Sequence, residues 1–435
     1  MSERRYERVL PRPELPEGDF LVVGLARSGA AAARLLASRG ARVLGADGGR
    51  PEGVDTLGDY GVEAHVESDG VALLDEGIRT VIKSPGVPNE APAVVAARER
   101  GLTVIGELEL AWRLIDNPFI AVTGTNGKTT TTELLGAIFA KSGIPVAVAG
   151  NIGTPPSSLV DSIDPEAIVV CEASSYQIED SEYFTPECGV LLNVQPDHLD
   201  RHGTLDAYKA AKLKMFERQT NGQFAISGPD VDFDLPGDGM KFRVKTAGFV
   251  NHGKIALKGK HNIGNALTAA HAALLMGADP AAVDETLATF KGVEHRMEPA
   301  GTKGGVDFIN DSKATNVAAA LAALDSFEGD AVAILGGSLK GEHFGDLAAA
   351  IDRSCAAVFV NGTAADQLEA DLAGVKPPLQ KHATLEESFA AAVEVAKPGQ
   401  TVLLTPACAS FDQFKNYEER GAAFKRLVAD LPAGS

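Results

Sequence analysis

Short apolar runs recur along this chain, each followed by a glycine-bearing or polar loop and then by a stretch with helical spacing. They fall at residues 20–23, 42–46, 81–82, 120–122, 146–149, 167–171, 189–193, 306–309, 331–335, 356–360 and 401–404. Strand-length runs alternating with helical patterns predict α/β layers around mainly parallel sheets. Helices are expected over 107–115 and 205–214, where apolar and charged residues alternate with a period near that of a helix turn. The pattern restarts near residue 106 and again beyond 292, with no internal repeat. Three domains are therefore expected, 1–106, 107–292 and 293–435, in keeping with a prior of roughly 150 residues per domain.

One strand-to-helix transition is chemically explicit. Ile120-Ala121-Val122-Thr123 leads into Gly124-Thr125-Asn126-Gly127 and then Lys128-Thr129-Thr130. Glycines let backbone N–H groups close around phosphates, and a helix N-terminus favours negative charge. The lysine can reach the β- and γ-phosphates, and a threonine hydroxyl can ligate Mg2+. The order of strand, loop and helix points to ATP and to a P-loop ATPase-like central domain. One position departs from the common pattern: Val122 stands where a glycine usually lies six residues before the lysine.

The N-terminal segment opens as a Rossmann-like βαβ unit, with Gly24-Leu25-Ala26-Arg27-Ser28-Gly29 after the first strand and Asp47 after the second. Ala26 replaces the second fingerprint glycine, and its Cβ obstructs a dinucleotide pyrophosphate. A dinucleotide dehydrogenase is thereby disfavoured. Ser84-Pro85-Gly86 follows another strand, so the segment either holds a different nucleotide or simply makes tight βα turns.

Polar clusters recur at the ends of later strands, where ligands of open α/β sheets collect. Glu172 ends one strand as a candidate Mg2+ ligand, and Asp197-His198 follows the next. Together with Lys128-Thr129 they are expected to converge above one sheet. Lys212, on the helix 205–214, is a surface lysine by spacing alone. Beside metal and phosphate, a neutral amine can instead take up CO2 as a carbamate, an oxygen ligand on a long arm. The third, again Rossmann-like, domain places Asn310-Asp311-Ser312-Lys313-Ala314-Thr315-Asn316, Gly336-Gly337-Ser338-Leu339-Lys340 and a loop through Ser410 to Tyr417 after strands. A domain with its own recognition edge suggests a second substrate, which a nucleotide-gated switch would not need.

Composition narrows the classes. A net charge of −19 disfavours a nucleic-acid groove, since nothing neutralises phosphates over an extended surface. Cys171, Cys188, Cys355 and Cys408 are scattered singly without zinc spacing and read as reduced core residues. The first 19 residues lack the apolar run of a signal peptide, and no segment offers about 18 uninterrupted apolar residues. A cytoplasmic protein without membrane insertion is expected.

Taken together, TGTNGKTT at 123–130, GNIG at 150–153, EASSYQ at 172–177, NVQPDHLDRHG at 193–203, YKAAK at 208–212, HNIGN at 261–265, EHRME at 294–298, NDSKATN at 310–316 and PACASFDQFKNYEERG at 406–421 resemble the Mur ligase family over nearly the whole chain. The central motifs are shared with the wider ATP-dependent amide ligases, including folylpolyglutamate synthase. The last motif, with NDSKATN, resembles members that join D-glutamate to UDP-N-acetylmuramoyl-L-alanine (UDP-MurNAc-L-Ala) through an acyl phosphate. The resemblance implies catalytic roles for Lys128, Glu172, His198 and Lys212, the last as a carbamate, with two Mg2+ sites drawn from Thr129, Glu172, His198 and the carbamate. It places ATP on residues 124–130 (Gly124, Thr125, Asn126, Gly127, Lys128, Thr129, Thr130) and on Asn262, Asn265, Arg296 and Asp311. It places the UDP substrate on Gly24, Arg27, Ser28, Asp47, Ser84, Pro85, Gly86, Asn151, Ser174, Gln177 and His198. D-glutamate falls to Lys313, Thr315, Lys340, Ser410 and Tyr417, and the protein is expected to be a monomer. The chain departs from the family at Asp47-Gly48-Gly49-Arg50, where Asp-Thr-Arg is common, and at Tyr417, where phenylalanine is frequent.

Overall fold

The computed structural model describes residues 9, 11–151, 154–245, 255–257, 259–339 and 343–432. Three sheets divide them. The first joins β1 (Asp19–Val23), β2 (Val43–Asp47), β3 (Val62–Val66), β4 (Ile78–Lys83) and β5 (Thr103–Gly106) in the order β3-β2-β1-β4-β5, all parallel. The second joins β6 (Phe119–Thr123), β7 (Val146–Gly150), β8 (Ile168–Glu172), β9 (Cys188–Leu191), β10 (Phe224–Ser227) and β11 (Met240–Arg243) in the order β11-β10-β9-β6-β8-β7, again parallel. The third joins β12 (Glu298–Lys303), β13 (Val306–Asn310), β14 (Ala331–Gly336), β15 (Cys355–Asn361), β16 (Leu379–Lys381) and β17 (Thr401–Leu404) in the order β12-β13-β17-β14-β15-β16. In this sheet β12 runs antiparallel to β13 and the other pairs are parallel.

Parallel strands joined by helical crossovers are covered on both faces, which is why the predicted runs are nearly continuous in apolar residues. Every residue of β6, β8 and β14 is buried. Each buried valine or isoleucine contributes roughly 1.5–3 kcal/mol relative to exposure. The central core gathers Leu108, Trp112, Phe119, Val169, Phe184 and Phe216, and Trp112 meets Phe184 edge-on with ring centroids 5.8 Å apart. All four cysteines are buried free thiols in the cores, as expected.

The described residues of Met1–Val194, His198–Lys254 and Gly264–Ala288 form one compact unit. Those of Gln195–Asp197, Ile255–Ile263 and Thr289–Ser435 form a second. The first and second sheets thus belong to one body, joined where β5 ends at Gly106 and the helix Glu107–Leu114 begins without a linker. No described helix is long and apolar enough to cross a membrane.

Glu107, fully buried at that junction, accepts a hydrogen bond from Ser157 N at 2.7 Å through Oε1, while Oε2 is buried with no partner among the described residues. Burial pushes its carboxyl from 4.5 up to about 7. The folded chain therefore keeps this proton up to about pH 7, whereas the unfolded chain releases it near 4.5. Its contribution to stability is complete below pH 4.5 and is lost as pH rises toward 7, by about 3 kcal/mol. Glu107→Gln should raise the melting temperature at pH 8 but not at pH 4.5. An equal shift at both values would contradict this account.

Candidate active site

The phosphate loop owes its shape to the strand before it. β6 continues through Val122, which is fully buried and paired with Glu172 on β8 and Val190 on β9, so the loop turns only at Gly124. The absent glycine is therefore a core strand residue. Gly127 has φ +87°, and a Cβ there would lie 2.4 Å from Asn265 Oδ1, so the buried Asn265 packs directly on the loop. Asn193 braces it from β9's side: its Oδ1 accepts from Thr125 N at 3.1 Å and Asn126 N at 2.9 Å, and its Nδ2 donates to Asn126 O at 3.0 Å. The helix Lys128–Lys141 starts with no side-chain cap. Lys128 Nζ donates to Gly124 O at 2.9 Å and Thr125 O at 2.8 Å, folded over the loop. An uncapped helix start beside this ammonium suits a phosphate chain.

At the loop's edge Thr129 Oγ1 donates to Glu172 Oε2 at 2.7 Å, and Asn151 Nδ2 donates to Oε1 at 3.2 Å. Glu172 is buried at the end of β8. A hydroxyl and a carboxylate in contact fit Mg2+, which takes few protein ligands and completes its shell with phosphate and water oxygens. No group of three or more His, Cys, Asp and Glu residues suited to a metal occurs among the described residues.

Lys212 corrects the reading from spacing. It is 1% exposed rather than on the surface, with Nζ donating to Gly124 O at 3.0 Å and lying 4.3 Å from the centre of the Tyr208 ring. The helix Leu205–Glu217 turns this face onto the phosphate loop, and Tyr208 OH lies 3.3 Å from Thr125 Oγ1. His198 has a left-handed backbone, φ +53°, and its ring lies 5.0 Å from Tyr176 and 6.4 Å from Tyr208. A non-glycine residue in this region costs energy and marks functional loops disproportionately.

On the first sheet, β1 and β4 are neighbours at the point where strand order reverses, so their loops share one edge. Asp47 accepts from Leu25 N at 2.7 Å and Gly49 N at 2.8 Å, fixing the turns after β1 and β2. Ser84 Oγ donates to Gly24 O at 3.0 Å. At Gly29 a Cβ would stand 1.7 Å from Gly24 O, which only glycine permits. Arg27, Ser28, Pro85 and Gly86 line this edge, exposed or half-buried. The displaced Arg50 pairs with the exposed Asp55 at 2.9 Å.

Sequence reasoning missed the contacts that join this edge to the central sheet. Lys83, last residue of β4, donates to Asp180 Oδ2 at 2.5 Å with both side chains buried. Burial presses the lysine's pKa down and the aspartate's up, each opposed by the partner's charge. Arg201 donates to Pro85 O at 3.2 Å and Val87 O at 3.4 Å, its guanidinium 4.0 Å from the centre of the Tyr176 ring. Asp180 closes the helix Ser175–Glu179, whose cap Ser174 and third residue Gln177 hydrogen-bond reciprocally. The capping-box spacing, Ser then Gln three residues on, was the available signal for that helix.

In the second unit the loops after β13, β14 and β17 lie side by side because β17 sits between the other two. Arg420, buried on the helix Tyr417–Asp430, binds them together. It donates to Ser312 Oγ at 3.0 Å and Ser312 O at 2.9 Å, Gly336 O at 3.2 Å, Cys408 O at 3.1 Å and Ala409 O at 3.1 Å. It faces no carboxylate at ion-pair distance among the described residues, and burial lowers its pKa to about 10. Lys313 Nζ donates to Tyr417 OH at 3.3 Å, and Thr315 is half-buried on the same loop. Ser410 is buried, with its hydroxyl unpartnered among the described residues. Lys340 lies outside the described residues. Asp311, fully buried, accepts from Met297 N at 3.0 Å, and Arg296 lies 3.9 Å away. Burial pushes its carboxyl up to about 6. His295 and Met297, on either side of Arg296, both have left-handed backbones. Asn262 is buried within its own helix, Lys260–Leu275.

Three mainly parallel sheets, the central one with a phosphate loop, define a nucleotide-binding α/β protein. Models of the Mur ligase MurD-like N-terminal domain, the Mur ligase middle domain and the Mur ligase glutamate ligase domain match residues 18–106, 122–235 and 295–408. This chain belongs to the Mur ligase family. The UDP-N-acetylmuramoylalanine–D-glutamate ligase of Pelotomaculum thermopropionicum is 40% identical, covering 95% of this chain and 98% of its own. That of Solibacter usitatus is 40% identical, covering 94% and 97%. Among solved structures, MurC of Thermotoga maritima has a TM-score of 0.60 at 20% identity over 95% of this chain and 100% of its own. MurF of the same organism, in complex with ADP, has 0.60 at 18% over 99% of each. At these identities the two structures show the shared fold.

Proposed function

We propose that this protein is a cytoplasmic, ATP-dependent ligase that joins D-glutamate to UDP-MurNAc-L-Ala in peptidoglycan precursor synthesis. The observation behind this reading is 40% identity, over 95% of the chain, to a relative named for that reaction. Segments 1–106, 107–292 and 293–435 act as its UDP-, ATP- and amino-acid-binding parts. A carboxylate is a poor electrophile, so the γ-phosphoryl of ATP first moves to the L-alanyl carboxylate, giving an acyl phosphate and ADP. The glutamate amine then attacks the acyl carbon, loses a proton and expels phosphate to leave an amide.

Lys128 and the first turn of its helix hold the phosphates and offset the charge that develops on the moving phosphoryl group. Thr129 and Glu172 would hold one Mg2+, and His198 with Lys212 as a carbamate would hold a second; such ions would supply positive charge to phosphate and carboxylate oxygens. Lys212 is buried with Nζ on Gly124 O, at the edge of the loop that would hold the phosphates. Asn265, beside Gly127, together with Asn262, Arg296 and Asp311, serves ATP. Asn151, Ser174 and Gln177 orient the muramoyl end, and Asp47 with the Gly24 and Ser84 loops receives UDP. Lys313, Thr315, Lys340, Ser410 and Tyr417 answer the two carboxylates of glutamate.

The test is phosphate release from ATP by purified protein, with UDP-MurNAc-L-Ala, D-glutamate and L-glutamate supplied separately and in combination. Release should require the UDP substrate together with D-glutamate and should match amide product mole for mole. Release that ignores the amino acid, with no amide formed, would overturn the reading.

A further inference from the structure

The buried Lys83–Asp180 pair is poorly explained as a stabilising element. Its side chains are 0% and 2% exposed, so both ions have lost their water. Such a pair returns that cost only when its remaining polar atoms are also satisfied. Here Asp180 Oδ1 is buried with no hydrogen-bond partner among the described residues. Apolar residues of similar volume would serve the fold at least as well.

What the pair does have is position. Lys83 immediately precedes Ser84, and Ser84 is tied to β1 through its N–H to Val23 O at 3.0 Å and its Oγ to Gly24 O. Asp180 ends the short helix that presents Ser174 and Gln177, and its own carbonyl accepts from Gly106 N at 2.8 Å. Asn89 Nδ2 spans the same gap, donating to Glu179 Oε2 at 3.2 Å, and Arg201, from the helix Leu199–His202, joins both sides by donating to the carbonyls of Pro85 and Val87 with its guanidinium 4.0 Å from the centre of the Tyr176 ring. The loop after β4 and the helix after β8 are thus one mechanical piece, although about 90 residues separate them in the chain.

We propose that Lys83 and Asp180 are positioning residues that fix the distance between the recognition site for the nucleotide end of the UDP substrate and that for its muramoyl end. The proposal rests on the functional reading above. A ligand held at two points gains affinity at the second through effective concentration, but only while the spacing matches. A misplacement of about 1 Å is enough to cost a hundredfold in rate.

The pair therefore contributes to binding of the whole substrate and not to binding of either fragment. The experiment replaces both charges at once, Lys83→Met with Asp180→Val, and measures binding of UDP alone and of UDP-MurNAc-L-Ala by calorimetry, with thermal melting as the check on folding. UDP affinity should stay within about twofold of the parent, while the whole substrate should weaken at least tenfold and the KM for ATP should not move. Equal loss for both ligands, or loss for neither, overturns the proposal. If the double variant does not fold, Asp180→Asn, which keeps the lysine's hydrogen bond and removes the charge, is read in the same way with an expected threefold discrimination. Failure of both variants to fold would assign the pair to stability alone and also overturn it. A parent protein that binds no UDP-MurNAc-L-Ala would instead refute the functional reading, so the two failures are distinguishable.

Discussion

Lys212→Ala should leave a folded protein whose ligase activity is down by about a thousandfold, the scale on which loss of one preorganised electrostatic group slows an enzyme. The side chain is buried beneath the phosphate loop with Nζ on Gly124 O. On the proposed reading this amine takes up CO2 as a carbamate. The reaction R-NH2 + CO2 gives R-NHCOO− and a proton, turning a cation beside the phosphates into an anionic oxygen ligand. The two roles differ in what replaces the lost group. A carbamate should be partly restored in the alanine variant by bicarbonate, formate or acetate, which supply a small carboxylate to the space left behind. A plain ammonium should be restored by methylamine and not by carboxylates. Rescue by the amine alone would reject the carbamate, and an alanine variant as active as the parent would reject both.

Arg420→Met should raise the KM for D-glutamate by at least a hundredfold while leaving the KM for UDP-MurNAc-L-Ala within about twofold. Five donor contacts run from this guanidinium to Ser312, Gly336, Cys408 and Ala409, spread over three loops. Each buried carbonyl left without a partner costs roughly 1–3 kcal/mol, so the loops lose both their common anchor and their spacing. The variant should also lose at least about 3 kcal/mol of stability for the same reason. Arg420→Lys should fare little better, because one ammonium cannot span the planar fork of contacts. Steady-state kinetics with each substrate varied in turn checks this. A folded Arg420→Met protein with a D-glutamate KM within threefold of the parent would show that the loops hold themselves.

Most of the strands that proved legible were central ones. β6, β8, β14 and β17 are buried throughout, and their apolar runs announced them. Several edge strands escaped for the same reason reversed, although the edge strand β7 was legible and the buried internal strand β10, only four residues long, was not. β11, Met-Lys-Phe-Arg, and β16, Leu-Gln-Lys, are largely exposed and have no apolar run to recognise. Val122 departs from the common phosphate-loop pattern because β6 runs on through Thr123 before the chain turns at Gly124; its pairing with Glu172 and Val190 accounts for it.

Long-range polar contacts were the other blind spot. Lys83 and Asp180 lie 97 residues apart, Arg420 and Ser312 108, and Lys212 and Gly124 88. No local periodicity encodes such pairs. Helical spacing put Lys212 on the surface because solvated lysines are the norm on helices, and only the packing of its helix against the phosphate loop turned that side chain inward.

By itself, then, the sequence determined the α/β class, the three-part order of the chain and the polar loops at strand ends proposed to carry the chemistry, because these depend on local apolar period and on residue types at strand ends. Tertiary structure decided which of those loops meet, which lysine is buried and which charges hold the loops in register, because these depend on desolvation and contacts between residues far apart in the chain.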